Sequence, residues 1–350
     1  MVTGDRDEKS INFDRVIYRF TSAFSRSDPQ EALHYLFLLC LPSMPIWVQE
    51  NSLRYIRDVV LNTRQFTPLL GEMRPDGVPS GFIWNYTSLI RLDATTYKTG
   101  LILDAANESR ERGKLEDAVH LYNLCGDYNA VIRIIVKKLS DGLIQGNAQL
   151  KEESSKALSF YQGQAKIFEQ LDQTLVHTCA LLIALMEFFA LAQAGRTDAA
   201  LQKIASTRLL PLAADDQEVT RAAEGLAFVD AAIKANFGDI VKTTMDILSR
   251  QYKAVKTLQG AKGIEVSFLF FFFSFFEISF LFLFLFLSLI YIFFSILPLP
   301  LTFLSFLHQQ TLRDLKAQAK NLQNLMGRIQ SFQIDNEVYG FVAQQEILMN

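Results

Sequence analysis

Few residues in this chain could carry chemistry, because histidine and cysteine are scarce and scattered. The four histidines and three cysteines are His34, His120, His177, His308, Cys40, Cys125 and Cys179. None of the histidines has a second ligand type at metal-binding spacing. His177 and Cys179 are too close in sequence to share one helix face, so we predict a buried core histidine there rather than a ligand.

The cysteines also favour a structural role. Their number is odd, their spacing is wide, and each lies in an apolar run. This pattern is typical of small buried core residues in a reducing compartment, not of a disulfide framework.

Motifs for catalysis or phosphate binding are not found. The nearest candidate, residues 141–146 (DGLIQG), lacks the Lys-Ser/Thr ending and a preceding strand, so we predict a helix-ending turn. No nucleophile elbow or carboxylate pair stands out. The sequence therefore predicts no enzyme and no catalytic, cofactor or metal site.

Two glycosylation sequons, 85–87 and 107–109, are expected to be unmodified without a signal peptide.

The charge balance argues against nucleic acid as a direct partner. Thirty-four basic and 37 acidic residues give a net charge of −3, whereas phosphate contacts need clustered cations. Lys137–Lys138 and the group Arg110, Arg112 and Lys114 are interpreted as solvated faces and helix C-terminal cations.

Helices are the elements that would position these residues. Apolar residues recur at spacings of three and four, as in the face formed by Phe13, Val16, Ile17, Phe20 and Phe24. A cap and first-turn proline at 27–29 open the next helix, and the polar segment 71–81 is predicted to be a loop. Further helices are predicted at 46–61, 93–112, 114–125, 127–139, 150–171, 173–194, 197–207, 216–235, 239–258 and 311–329, and at the C-terminus.

Short glycine joints suggest how these helices are arranged. Gly113 and Gly126 fit the left-handed position after a helix end, and the short connections make neighbouring helices antiparallel. At three joints, an alanine follows the glycine at a spacing that places a small residue where two helices approach each other. The three pairs are Gly113-x4-Ala118, Gly126-x3-Ala130 and Gly195-x3-Ala199. We predict an all-α fold, an irregular α-solenoid of stacked antiparallel helices interrupted by a hydrophobic insertion. A compact helical bundle is the alternative.

The insertion is a Phe/Leu-rich segment, residues 266–310. It holds 15 of the chain's 29 phenylalanines between Phe268 and Phe306, and Glu277 is its only charged residue. Its length is sufficient for a transmembrane segment at 268–307, with a break at Pro298 and Pro300. Yet 267–307 has no alanine, glycine or valine, the small residues that membrane helices use for packing.

Its composition favours a retained intron. Phenylalanine, leucine, serine, isoleucine and proline have pyrimidine-rich codons, so a translated polypyrimidine tract would have this composition. Val266 needs a codon beginning with GT, and residues 308–310 can encode a terminal CAG. The predicted domains are 1–265 as solenoid, 266–310 as insertion and 311–350 as C-terminal solenoid helices. Without the insertion the composition is that of an ordinary soluble domain.

Seven segments in order resemble the nucleoporin interacting component family, the large inner-ring scaffold nucleoporins of the nuclear pore complex. They are DPQEALHYLFLL (28–39), FTPLLGEMRPDGVPSGFI (66–83), AANESRERGKLEDAVHLYNLCGDYNAVIRII (105–135), TRLLPL (207–212), TMDILSRQYKAVK (244–256), LKAQAKNLQNLMGRI (315–329) and QEILMN (345–350). The ordered set covers nearly all of the chain except 266–310 and resumes near Thr311.

The resemblance implies the C-terminal part of a long solenoid at the nuclear envelope, a structural scaffold for transport of protein and mRNA. It implies other nucleoporins as partners, including the linker nucleoporin with an RNA-recognition-motif-like domain, held in a groove between helices. The groove residues are not assigned. Family chains are longer, so Met1 is expected to mark a truncated gene model or a fragment. Membrane contact is then indirect unless 268–307 spans a bilayer.

Two other functions remain open at this point. A helical-repeat adaptor or vesicle-coat protein would show the same helix pattern, because fold does not determine function. A membrane-anchored protein would follow if 268–307 crosses a bilayer.

Overall fold

The structure is a computed structural model that describes residues 12–72, 80–212, 216–260, 301–329, 334 and 336–349. Within those ranges every regular element is a helix, which confirms the predicted all-α class. The chain divides into two units. The first comprises Met1–Ile135 and Gln164–Leu175, and the second comprises Val136–Gly163 and Val176–Asn350.

The first unit is built from short and medium helices. They are α1 (Phe13–Ser22), α2 (Pro29–Leu38), α3 (Ile46–Thr63), α4 (Phe66–Leu70), a 3-10 turn (Ile83–Tyr86), α5 (Ala94–Thr96), a π-helical turn (Tyr97–Leu103), α6 (Asp104–Glu111) and α7 (Leu115–Cys125). Helix α8 (Tyr128–Asp141) begins in this unit, and the short α10 (Ala165–Phe168) belongs to it. Helices α1, α2 and α3 pack together, and α6 lies against α7.

The second unit contains the longer helices. They are α9 (Ala148–Gly163), α11 (Gln173–Gln193), α12 (Thr197–Thr207), α13 (Asp216–Ala227), α14 (Ala231–Lys234), α15 (Phe237–Gly260), α16 (Leu301–Arg328) and α17 (Asn336–Met349). Helices α15, α16 and α17 pack on one another, and α13 lies against α16. The Ser249 hydroxyl of α15 donates a hydrogen bond to the side-chain oxygen of Gln345 in α17 at 2.6 Å.

Two helix joints have the same backbone geometry. Gly113 and Gly195 are both left-handed, with φ of 75° and 72°. The N–H of Lys114 donates to the Ser109 carbonyl, and the N–H of Arg196 donates to the Leu191 carbonyl in the same way. Such bonds satisfy the last carbonyls of a helix and turn the chain back. The left-handed position predicted for Gly113 is therefore confirmed, as is that predicted for Gly126, which has a φ of 73°.

The small residue that follows each joint is buried, with one correction. Ala118 and Ala200 are fully buried, whereas Ala199, which the sequence pattern selected, is half-buried. The shared spacing is thus Gly-x4-Ala at both joints. A buried alanine at this position lets the second helix of each hairpin approach its neighbour closely.

The predicted starts of two helices are also confirmed. The Asp28 carboxylate accepts the Glu31 N–H at 3.0 Å, ahead of Pro29 in the first turn of α2. Asp127 accepts the Ala130 N–H at 3.1 Å at the start of α8. Residues 142–146 form a turn after α8, as predicted, with Gly146 at a φ of 60°.

Three predicted helices are less regular than expected. The prediction of one helix over 93–112 missed the π-helical turn within it. The prediction over 150–171 was wrong about continuity, because α9 ends at Gly163 and α10 is separate. The same holds for 216–235, where α13 and α14 are separate helices. Apolar periodicity continues across both breaks, so the sequence pattern alone does not reveal them.

Residues 266–300 of the predicted insertion lie outside the described residues. Its last part, from Leu301, belongs to α16, which continues without interruption into residues 311–328. Elsewhere, α11 is long and apolar enough to cross a membrane. That helix buries Cys179, Leu182 and Phe188 completely, as core helices of soluble proteins also do.

Candidate interaction surface

The three histidines whose side chains the structure describes lie at separate places. His34 lies on α2, where its Nε2 is 2.8 Å from the Tyr86 hydroxyl and its ring meets Phe82 and Tyr86. His120 on α7 lies 3.4 Å from the Thr67 hydroxyl. His177 is exposed, so the prediction of a buried core histidine was wrong. The side chain of His308 lies outside the described part of the chain.

The three cysteines are free and buried, as predicted. Burial raises the pKa of the Cys179 thiol to about 11, and desolvation also raises the pKa of Cys40 and Cys125. Cys40 lies 2.8 Å from the Ser52 hydroxyl. A protonated, inaccessible thiol is a poor nucleophile and metal ligand. Among the described residues there is no group of three or more metal-binding side chains.

The basic residues behave as predicted. Arg110, Arg112 and Lys114 are exposed around the end of α6, and Lys138 lies in the last turn of α8. Arg112 also pairs with Asp58 at 3.6 Å. Cations at helix C-termini interact favourably with the helix dipole.

A cleft in the second unit is a candidate binding site. It encloses about 800 Å³ between α12, the turn after it, α13 and α16. Leu210, Pro211 and Leu212 supply apolar walls, and the two cations Arg208 and Arg221 outnumber the one carboxylate, Glu218. Arg208 ends α12 in the left-handed conformation, with a φ of 55°. From the sequence, left-handed residues at helix ends were predicted only at glycines, so Arg208 was not predicted to end a helix.

A second surface is formed by α1 in the first unit. Phe13, Val16 and Phe20 follow one another at helical spacing, and their exposed fractions are 54, 52 and 56%. Phe20 also meets Tyr35 of α2 edge to face, with ring centroids 5.6 Å apart. We call these four residues the outer stripe. Contiguous exposed apolar surface of this kind marks interaction sites.

The most buried residues of α1 are polar. Asp14 and Thr21 are buried, and Ser25 beyond the helix end is buried as well. The Asp14 carboxylate accepts bonds from Asn51 at 3.0 Å and Tyr55 at 3.2 Å, both on α3. The apolar side of α1 is therefore only partly covered, by Tyr35 of α2 against Phe20 and Phe24.

Comparison with known proteins gives a consistent result. The family model described as Nup93/Nic96 matches residues 1–340. Nuclear pore complex protein Nup93 of Danio rerio is 29% identical over 71% of this chain, and the Xenopus tropicalis protein of the same name is 31% identical over 71%. Nucleoporin NIC96 of Saccharomyces cerevisiae is 26% identical over 70%. The chain spans only 29 to 31% of the lengths of these relatives.

A solved structure shares the fold. The crystal structure of Chaetomium thermophilum Nic96 SOL matches 96% of this chain and 47% of its own, with a TM-score of 0.68 and 18% identity. This likeness, together with the stacked helices, confirms the predicted α-solenoid fold class.

Proposed function

Because the chain belongs to the Nup93/Nic96 family, we propose that it is a structural scaffold of the nuclear pore complex, located at the nuclear envelope. The observation that carries this proposal is the family match over residues 1–340. In this role the chain supports pore assembly, and through it the transport of protein and mRNA. It performs no chemistry of its own.

The helical architecture supports a scaffold role. Two hairpin joints share one backbone geometry and one buried alanine position. Arrays of this kind make contacts mainly between neighbouring helices and present long surfaces to partners. Such surfaces suit a protein that holds other proteins in place.

Other nucleoporins are the proposed partners, among them the linker nucleoporin with an RNA-recognition-motif-like domain. The cleft between α12, α13 and α16 supports binding of a short partner segment, because its volume of about 800 Å³ accommodates several side chains. Its leucines would hold apolar side chains, and Arg208 and Arg221 would attract carboxylates.

Residues 266–310 are proposed to be no part of the scaffold, but a retained intron. An apolar block of this size, exposed between helices, would cause aggregation or seek a bilayer. A sequenced transcript that joins Glu265 directly to Thr311 is the expected result. An unspliced transcript in every tissue would instead support a membrane anchor.

Localisation tests the scaffold proposal directly. A fluorescently tagged chain is expected to give a continuous rim of signal at the nuclear envelope, coincident with a pore marker. Diffuse signal from a soluble, folded product would contradict the proposal. Co-purification of the linker nucleoporin tests the partner separately. An Arg208→Glu and Arg221→Glu double variant should weaken that co-purification while leaving the helical content unchanged.

A further inference from the structure

Helices α15 and α17 of the second unit run in the same direction. Near the start of α15, a Cβ placed on Gly238 would lie 3.5 Å from the Ile334 side chain, just ahead of α17. Eleven residues further along α15, the Ser249 hydroxyl bonds the side chain of Gln345, which lies eleven residues after Ile334. Because equal steps along the chain keep the two helices in contact, α15 and α17 are parallel.

Helix α16 lies against both of them and runs in the opposite direction. It packs on α15 and on α17, and residues 329–335 alone connect its end to the start of α17. That connection can reach about 25 Å, whereas a return along the whole of α16 would need about 40 Å. Packed helices with a short connection of this kind are antiparallel, so α16 is antiparallel to α15 as well.

The end of α15 therefore lies near residue 311 of α16. The Lys316 ammonium lies 5.8 Å from the centre of the Tyr252 ring, which gives the register of the two helices. From that contact α15 continues for eight residues to Gly260, about 12 Å of helix. Thr311 lies five residues back along α16, about 7.5 Å in the same direction. Since packed helices are about 8–10 Å apart, Gly260 and Thr311 are separated by roughly 10 Å.

Five residues are enough to bridge that distance. Residues 261–265, which lie outside the described residues, can reach about 17 Å when extended. Connections of about two to eight residues are usual between neighbouring helices, and Gly260 and Gly263 are of the residue type that favours a helix end. The packing of α15 on α16 therefore leaves no gap that residues 266–310 are needed to span.

The sequence at Thr311 is a signal for the start of a helix. Thr311 and Asp314 have the spacing of a capping box, in which two side chains bind backbone N–H groups of the first helical turn. Yet α16 passes through both residues, and the Asp314 carboxylate accepts a bond from the Gln310 side chain at 3.3 Å. Inside a helix the N–H groups already bind the preceding turn, so a capping box has no role there.

We propose that Thr311 is the N-cap residue of α16 in the native chain, and that residues 261–265 connect it to α15 as a short hairpin turn. In that chain α16 begins at Thr311 rather than at Leu301. The proposal rests on the proposed function, in which residues 266–310 are no part of the scaffold, and it names the turn and the cap that take their place.

The cap has a consequence for the proposed binding cleft. Helix α16 supplies Gln318 to the cleft, and Arg328 at its other end donates to the Thr220 hydroxyl of α13 at 2.6 Å. A fixed start at Thr311 and this bond to α13 hold the helix at both ends. Thr311 is therefore a positioning residue for one wall of the cleft.

The test uses the purified chain without residues 266–310 and measures its thermal unfolding by circular dichroism. That chain is expected to be helical and to unfold cooperatively. Thr311→Ala should lower its Tm by roughly 2–4 °C, because the cap is lost. Thr311→Ser keeps a hydroxyl that can cap the helix and should restore the Tm to within about 1 °C of the unaltered value.

The order of these two variants separates a cap from an ordinary helical position. In a helix interior alanine is more favourable than serine or threonine, so Thr311→Ala would then have the highest Tm of the three chains. Thr257→Ala, at an exposed threonine inside α15, is the matched control. Its Tm should be unchanged or slightly higher, because no cap is removed.

Two results would overturn the proposal. One is a chain without residues 266–310 that fails to fold while the 350-residue chain folds in lipid vesicles, which would assign the segment to a membrane. The other is a Thr311→Ala chain at least as stable as Thr311→Ser. Both measurements use purified protein, so a missing signal at the nuclear rim would contradict the scaffold proposal and leave the cap intact.

Discussion

Replacement of Gly81 by alanine should strongly destabilise the first unit. Gly71 and Gly81, the two ends of the segment predicted to be a loop, lie against each other, whereas residues 73–79 lie outside the described residues. A Cβ on Gly81 would lie 2.1 Å from the Leu70 carbonyl carbon and 2.3 Å from the Gly71 nitrogen. Ordinary contacts of a Cβ begin near 3.4 Å, so the two backbones would have to separate by roughly 1 Å or more.

Three hydrogen bonds oppose that separation. Phe82 donates its N–H to the Pro68 carbonyl at 3.0 Å, and Gly71 donates to the Thr67 carbonyl at 2.8 Å. The buried Tyr97 hydroxyl donates to the Leu70 carbonyl at 2.8 Å. Overpacking of this kind costs about 1–3 kcal/mol, and loss of one or two of these bonds adds about 1 kcal/mol each. We therefore expect a loss of about 3 kcal/mol in the free energy of unfolding.

Tryptophan fluorescence during urea unfolding can measure this loss. The chain has two tryptophans, Trp47 and Trp84, and both lie in the first unit. Trp84 packs on Tyr97 with centroids 5.1 Å apart, so its emission reports on the region of the loop junction. With an m-value of about 2 kcal/mol/M, the urea midpoint should fall by roughly 1.5 M.

Two other glycines of the same unit provide controls. Gly113→Ala has open space around the new Cβ but a φ of 75°, so it should cost only about 1 kcal/mol of backbone strain. Gly100→Ala would meet Thr96 at an ordinary 3.5 Å and should change stability by less than about 1 kcal/mol. A Gly81→Ala midpoint within the range of these controls would refute the steric argument.

Three further predictions follow from the same structure. Tyr97→Phe removes the donor to the buried Leu70 carbonyl and should cost about 1–3 kcal/mol; an unchanged urea midpoint would show that this bond contributes nothing. Burial raises the pKa of Cys179 from 9.0 to about 11, so the unfolded chain ionises first. The stability from this thiol is then complete below pH 9 and falls as the pH rises toward 11, by up to about 1.4 kcal/mol per pH unit. Circular dichroism should show a flatter decline for Cys179→Ala, and equal slopes would contradict this. The chain without residues 266–310 should remain soluble where the 350-residue chain aggregates, and equal solubility in a sedimentation assay would argue against the intron hypothesis.

The helix joints were predictable because their signals are local. The left-handed φ of a glycine after a helix end depends only on that glycine and on the last turn of the helix. Gly113 and Gly126 could therefore be assigned from the sequence. The same is true of Asp28 and Pro29 at the start of α2. Left-handed caps at Arg64 and Arg208 were missed, because arginine has no intrinsic preference for a positive φ and tertiary packing imposes it.

Helix breaks and burial were less predictable because they depend on distant neighbours. The apolar pattern continues through Gly163 and Phe228, yet the helices end there. His177 occupies an apolar run but is exposed, because α11 is apolar on more than one face and composition does not show which face is covered. The cleft beside Arg208 combines three separate helices and a turn, and no motif in the sequence links them.

Helix α1 shows most clearly what periodicity can determine. The spacing of Phe13, Val16 and Phe20 predicts a helix with one apolar face, and the helix is present. The same spacing does not specify which surface covers that face, because the pattern reports only that apolar side chains share a side. Asp14 contributes to the orientation, since the partners of its carboxylate, Asn51 and Tyr55, lie on α3. Within the described part of the first unit, the apolar side of α1 contacts α2 through Phe20 and Tyr35, and this contact between separate helices is not encoded in the spacing of the apolar residues.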